Sequence, residues 1–306
     1  MIVYRELSSV ESDLGFSANE LYALSNSIEK QYRSVDLPKA NGTYRTLSVP
    51  SYKLKVVQRA IAEKMLAYMP VSQYAMAYRY GASVQKNAKA HVGKNKVLKL
   101  DILHFFDSIR YSQVKDKVFT ADRFSEPIRI LLSMLCYYRD VLPQGAPSSP
   151  AITNIIMCEF DNTIGAFCKE RGITYTRYCD DMTFSGDFDR REVADFVKDE
   201  LRKIGFILND KKTVTVTSSQ RQTVTGIVVN EKLAVTSDYR RKLRAEIYYC
   251  KKYGIAEHLK HIGSGIPTKQ YLQSLLGKIS FAIQTSPSEW LLEAKKFIIS
   301  ELKKEP

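Results

Sequence analysis

The sequence predicts an α+β fold in which helices pack on an antiparallel sheet and a helical segment follows. Three observations predict it. The stretch Thr174–Ser185 places β-branched and aromatic residues on either side of Cys179-Asp180-Asp181, which is the composition of a strand hairpin with an acidic tip. Val97–Ile102 is an apolar run that ends in Asp101 and reads as a buried strand. From about Ser237 onward the pattern turns helical, with breaks at Gly254, Gly263–Pro267 and Pro287.

Taken in order, residues 1 to about 37 read as short helices. Ser17 caps one of them and Glu20 completes a capping box. Asn41-Gly42 is a hairpin signal, followed by a strand over Thr43–Pro50 in which Arg45 projects with Lys39 across the turn. An amphipathic, basic helix is expected from Leu54 to Tyr68. Tyr78, Arg79 and Tyr80 then lead into a cation-rich stretch ending at Lys96, a mixture that suits phosphate contacts and base stacking. The strand carrying Asp101 continues into Phe105-Phe106, and residues 112 to 139 read as helices. Leu142–Pro150 holds three prolines and one glycine and forms a stiff loop. A long helix is expected from about Ala151 to Arg171, its N-terminus beside Gln144 and Ser148 offering a place for an anion. After the acidic hairpin come a helix over 190–204 ended by Gly205, a turn and strand from Phe206, and a strand over Gln222–Asn230.

At 306 residues the chain can hold a large core and several subdomains. Forty-six Lys and Arg against 33 Asp and Glu leave a net charge of +13, which favours a polyanionic partner. No apolar run approaches a membrane span and no signal core opens the chain, so nucleic acid is preferred to membrane. Five cysteines without CxxC spacing argue for reduced thiols in a cytoplasm, and against a disulfide framework or a zinc site.

An acid at the end of a buried strand seldom serves stability, and two adjacent acids at a turn repel each other. Either feature alone fits a solvated turn or a strand end. Together, Asp101, Asp180 and Asp181 could hold two Mg²⁺ ions ~3.5–4 Å apart and support phosphoryl transfer.

The order of acid strand, helices and acid hairpin is that of a polymerase palm. Tyr178-Cys179-Asp180-Asp181 resembles the Tyr-x-Asp-Asp box of the reverse transcriptases. Asp101 with Phe105-Phe106, the Leu142–Gly145 loop with Ser149-Pro150, and Asn209–Thr213 resemble further motifs of that family. Asn87-Ala88-Lys89-Ala90-His91 resembles the NAxxH signature of bacterial retron reverse transcriptases, and Val224-Thr225-Gly226 their VTG signature. Cys179 stands where alanine is common in that family, and a small side chain suits the turn.

The resemblance implies a right-hand polymerase fold. Fingers would span 1–96 and 112–147, palm 97–111 and 148–236, and a helical thumb 237–306. It implies Asp101, Asp180 and Asp181 as catalytic residues and Asp101, Ile102, Asp180 and Asp181 as the holders of two Mg²⁺. Arg45, Phe106, Gln144 and Lys212 would bind the incoming nucleotide, with Phe106 as a gate against the ribose 2′-hydroxyl. Asn87, His91, Tyr178, Val224, Thr225 and Gly226 would contact RNA or DNA; read from charge rather than from the resemblance, the basic helix with Arg240, Arg241 and Arg244 would add phosphate contacts.

The implied function is RNA-directed DNA synthesis on a cognate non-coding RNA (msr-msd), primed from a guanosine 2′-hydroxyl. The product would be multicopy single-stranded DNA, and the role antiphage defence. Implied partners are that RNA and its DNA product, dNTPs, a separate effector protein and host RNase H. No RNase H, endonuclease or effector segment is recognised in the chain. A maturase-like or abortive-infection polymerase, or an RNA-binding scaffold or antitoxin, remain as alternatives.

Overall fold

The computed structural model describes residues 3–38 and 42–305. Its strands and helices form an α+β molecule. The Cα packing divides it into two units, 1–82 with 98–215 and 83–97 with 216–306.

In the first unit the central sheet has the order β4 (Thr174–Tyr178), β5 (Asp181–Gly186), β3 (Lys96–Leu103) and β6 (Ile207–Leu208), with β7 (Val214–Thr217) also paired to β3. β4 and β5 form an antiparallel hairpin in the register Tyr178↔Asp181. The two turn residues are therefore Cys179 and Asp180, and Asp181 already belongs to the strand. One face of the sheet buries Leu98, Leu100, Met182 and Phe184. Val193, Val197 and Leu201 lie in the same core. They recur at helical spacing on α9 (Arg190–Lys203), which Asp189 caps through the Arg191 amide. Ile152, Ile156, Phe160 and Ile164 supply α7 (Ser149–Ile156) and α8 (Cys158–Glu170) to that core. α8 approaches closely at Gly165, where a Cβ would stand 1.9 Å from the Tyr74 ring.

Around this centre lie α1 (Leu7–Leu14), α2 (Ala18–Asn26), α3 (Tyr52–Ala60), a short α5 (Tyr111–Gln113) and α6 (Glu126–Cys136). The capping box of Ser17 and Glu20 is present. β1 (Tyr32–Pro38) pairs antiparallel with β2 (Tyr44–Pro50), so residues 32–38 form a strand where short helices were expected. Three β-branched or aromatic partners on β2, Tyr44, Thr46 and Val49, outweigh the weak local helical pattern there. Asn41 and Lys39, expected at that hairpin's turn, lie outside the described residues. The basic helix begins at Tyr52, two residues earlier than expected, and its last turns, Ile61–Leu66, widen into a π-helix. The long helix expected from Ala151 to Arg171 is two helices interrupted at Met157, whose ψ of −1° breaks the hydrogen-bond ladder.

The second unit contains α4 (Val84–Lys89) and a small sheet in the order β10 (Ala234–Val235), β9 (Ile227–Val228), β8 (Thr223–Val224). Val224 pairs with Ile227 across Thr225 and Gly226, at φ 45° and 80°. Positive φ at both turn positions makes this a tight hairpin of the primed type, where a single strand over Gln222–Asn230 was expected. Ala88, Val97, Val224, Ile227 and Val229 form its core. Thr236 then caps α10 (Ser237–Tyr253), and α11 (Ile255–His261), α12 (Thr268–Thr285) and α13 (Glu289–Leu302) follow. Leu243, Ile247, Leu272, Leu275, Ile279, Leu291 and Ile298 bury their shared face. Among the described residues no helix is long and apolar enough to cross a membrane.

Candidate active site

Asp101 lies on β3 and is buried at 5% exposure. Asp180 lies at the β4–β5 turn, and its carbonyl accepts from the Ile102 amide at 3.1 Å. The acid strand and the acid hairpin are thus tied backbone to backbone. Asp181 reaches solvent, yet the chain packed around it raises its carboxyl to about 6, and the negative charges of Asp180 and Asp101 push the same way. Lys212 and Lys99 oppose that rise.

Asp101 is satisfied on both oxygens. Oδ1 accepts from Asn209 Nδ2 at 2.8 Å, and Oδ2 from Lys212 Nζ at 2.8 Å. The Asn209 amide also donates to the Asp101 carbonyl at 2.8 Å. The 3-10 turn Asp210–Lys212 after β6 is what brings Lys212 there. Among the described residues no three His, Cys, Asp or Glu side chains are drawn together tightly enough to make a ready cage for a metal. Carboxylates repel each other, and Asp101 is turned to its Lys and Asn partners. The donor set nevertheless suits a hard divalent cation, because every side-chain donor is a carboxylate oxygen and their charges act on one another.

A cleft of about 560 Å³ opens beside these acids. It is lined by Arg45, Asp101, Phe106, Gln144, Asp180 and Lys212 among others, so the expected nucleotide residues share one cavity with two of the acids. Phe106 is half-buried and stands edge-on to Phe105, with ring centroids 5.5 Å apart. Gln144 Nε2 donates to Asp107 Oδ1 at 3.3 Å, and the Ser48 amide donates to the Gln144 carbonyl at 3.0 Å. Gly145 allows that approach: at φ 126° a Cβ there would stand 2.8 Å from the Ser48 carbonyl oxygen. Ser148, expected beside an anion, is fully buried, which leaves Gln144 alone of the pair facing the cleft.

The hairpin tip rests on a buried polar network that the sequence reading missed. Arg177 on β4 and Asp161 on α8 are both fully buried and form an ion pair, Nη2 to Oδ2 at 2.6 Å and Nε to Oδ1 at 2.8 Å. Arg177 Nη1 donates to the Cys179 carbonyl at 2.8 Å and Nη2 to Asn154 Oδ1 at 3.2 Å. Tyr175 Oη donates to Asp161 Oδ1 at 2.8 Å. Burial works against the Arg177 charge, but Asp161 more than offsets it and the guanidinium is held above its ordinary range. Cys179 itself sits at φ 60°, and its buried thiol is pushed up to about 12. Two signals pointed here: an arginine inside a β-branched strand, and an aspartate within the apolar stripe of α8.

Residues 37–230 match the family model described as reverse transcriptase (RNA-dependent DNA polymerase). The Retron Ec86 reverse transcriptase of Escherichia coli is 32% identical over 221 residues, covering 71% of this chain and 69% of that one.

The chain belongs to the retron reverse transcriptases.

The Retron Mx65 reverse transcriptase of Myxococcus xanthus is 30% identical, covering 85% of this chain and 66% of its own. The Retron Ec83 reverse transcriptase of Escherichia coli is 31% identical, covering 72% and 76%. The chain spans about two thirds to three quarters of the length of these relatives. A solved foamy viral protease-reverse transcriptase is similar at 15% identity and a TM-score of 0.48, over 90% of this chain and 44% of that one.

For a retron reverse transcriptase the expected nucleic-acid residues fall into two groups. Asn87 and His91 are fully buried, as is Val224, so none of the three presents its side chain at the surface in this structure. Burial, with Lys94 adding to it, lowers His91 to about 3 and keeps it neutral. In this structure these side chains supply core and turn, and the expected contact of both signatures with RNA or DNA belongs to the proposal below. Thr225 Oγ1 donates to the Val84 carbonyl at 3.2 Å, which ties the Val224-Thr225-Gly226 turn to the start of α4. Arg240, Arg241 and Arg244 are exposed on α10, with Arg241 paired to Asp238 at 2.9 Å and Arg244 over the Trp290 ring at 4.8 Å. Tyr178 is half-buried beside the acidic turn.

Proposed function

We propose that the chain is the RNA-directed DNA polymerase of a retron. It would copy part of its structured non-coding RNA (msr-msd) from a guanosine 2′-hydroxyl into multicopy single-stranded DNA. The fingers (1–96 and 112–147), palm (97–111 and 148–236) and thumb (237–306) belong to this proposal, as do roles in antiphage defence with an effector protein and host RNase H.

Its main support is the shared setting of Asp101, Asp180 and Asp181, with the nucleotide-sized cleft beside them. Asp101, Ile102, Asp180 and Asp181 would hold two Mg²⁺, which when bound would activate the attacking hydroxyl and balance charge on the leaving pyrophosphate. Lys212, already drawn to Asp101, would meet the triphosphate as that carboxylate turns to the cation. Arg45 and Gln144 face the same cleft and would position the phosphates and sugar. Phe106 forms its wall beside Phe105 and would exclude a 2′-hydroxyl from the sugar site.

The exposed cations of α10 and the net charge of +13 support a polyanionic partner, read largely through phosphates. The test is the pair Asp180→Asn with Asp181→Asn. RNA binding is expected to survive and DNA synthesis to stop. Synthesis that persists would refute the catalytic roles, and RNA binding lost along with synthesis would refute their separation.

A further inference from the structure

We infer that Arg177 is a positioning residue: its guanidinium, held by Asp161, fixes the Cys179 carbonyl and thereby sets the conformation in which the turn presents Asp180 and Asp181. This rests on the reading of those two acids as metal-holding groups.

Cys179 adopts φ 60°, a region that costs a residue with a Cβ and persists only where its surroundings over-determine it. Tyr78, across from it, is also left-handed at φ 57°. The turn is therefore not held by local preference. It is held by contacts: Arg177 Nη1 donates to the Cys179 carbonyl at 2.8 Å and the Ile102 amide to the Asp180 carbonyl at 3.1 Å.

The Arg177 backbone takes part on both sides. Its amide donates to the Tyr74 carbonyl at 2.8 Å, and its carbonyl accepts from the Met76 amide at 2.7 Å. Asn154, which accepts from Arg177, donates in turn to the Ala77 carbonyl at 2.8 Å. One side chain thus joins the acidic turn to α7, α8 and the segment leading into Tyr78. A guanidinium suits this task because its planar fork grips both Asp161 oxygens and leaves a further N–H for the carbonyl. Lysine keeps the charge but cannot make all of these bonds. A network meant only for stability would have no need of the bond to Cys179, since a buried ion pair is often replaceable by apolar packing.

The experiment is primer extension on an RNA template with Arg177→Lys, read as kcat, half-saturating Mg²⁺ and KM for dNTP. A small displacement of catalytic groups lowers rates on the order of 10²-fold. We expect kcat to fall by that order and the Mg²⁺ requirement to rise about tenfold, with KM for dNTP within about twofold, because Arg45, Gln144 and Lys212 stand on other elements. Tyr175→Phe is the control. It removes a bond to Asp161 without touching Cys179, and it should lower the melting temperature while leaving kcat and Mg²⁺ dependence unchanged.

Wild-type kcat and Mg²⁺ dependence in Arg177→Lys would overturn the inference. So would equal kinetic changes in Tyr175→Phe. If Arg177→Lys does not fold, Arg177→Gln with Asp161→Asn, which leaves no unpaired charge, is read by the same measures and decides in the same way. Loss of the underlying reading is distinguishable, because Asp180→Asn would then extend primers normally.

Discussion

Asp101 shows how one side chain can be poised between two partners. Lys212 and Asn209 satisfy it, while it adds its charge to the field that raises Asp181. Lys212→Ala should raise the dNTP KM about tenfold, equivalent to about 1.4 kcal/mol, with a smaller effect on kcat. A steady-state titration of dNTP checks this, and an unchanged KM would remove Lys212 from the nucleotide site. Phe106→Ala should admit ribonucleotides, since the wall of the cleft is then missing. Primer extension with rNTPs in place of dNTPs reads it directly, and unchanged discrimination would count against the gate. Asp101, Asp180 and Asp181 stand out in the sequence against an apolar strand or a turn, whereas Lys212 and the gate role of Phe106 come only from the resemblance to the reverse transcriptases. Arg177 and Asp161 were not legible, because their partnership spans sixteen residues and two elements and follows no local period.

Elements follow the same division. The β4–β5 hairpin was legible because Asp disfavours strand interiors and the flanking residues favour them. β1 was not, since its pairing with β2 rests on tertiary context. The break at Met157 carries no proline or glycine to announce it. The hairpin at Thr225-Gly226 was hidden by β-branched residues on both sides, although its glycine gives the clue in retrospect. The loop at Gly145 offers a test at this scale. Gly145→Ala forces a Cβ to 2.8 Å from the Ser48 carbonyl at an unfavourable φ, so β2 and the loop must move apart. We expect a loss of about 1–3 kcal/mol in stability and a raised dNTP KM, seen by denaturant unfolding and kinetics. Wild-type values in both would show that the close approach is unimportant.

For the whole molecule, charge and burial set the conditions under which it works. His91 is neutral in the fold, so its pKa lies below the value it takes when the chain unfolds. The unfolded chain then binds the extra proton. Stability is complete above about pH 6.5 and falls by at most about 1.4 kcal/mol per pH unit below it. Unfolding of the wild type and His91→Gln across pH 7.5 to 5 should show a steeper slope in the wild type; parallel slopes would contradict it. The exposed arginines of α10 bear on RNA affinity. Arg240→Ala with Arg241→Ala should weaken RNA binding and flatten its dependence on salt, by about two phosphate contacts. An unchanged salt slope would take that helix out of the footprint.

The most direct test of the shared acidic site is diffraction from crystals grown with Mn²⁺ and an unreactive dNTP, using the anomalous signal of the metal. Two metal peaks bound jointly by Asp101, Asp180 and Asp181 are predicted. Peaks that leave Asp101 with Lys212 and Asn209, or no peak at the hairpin, would contradict the account.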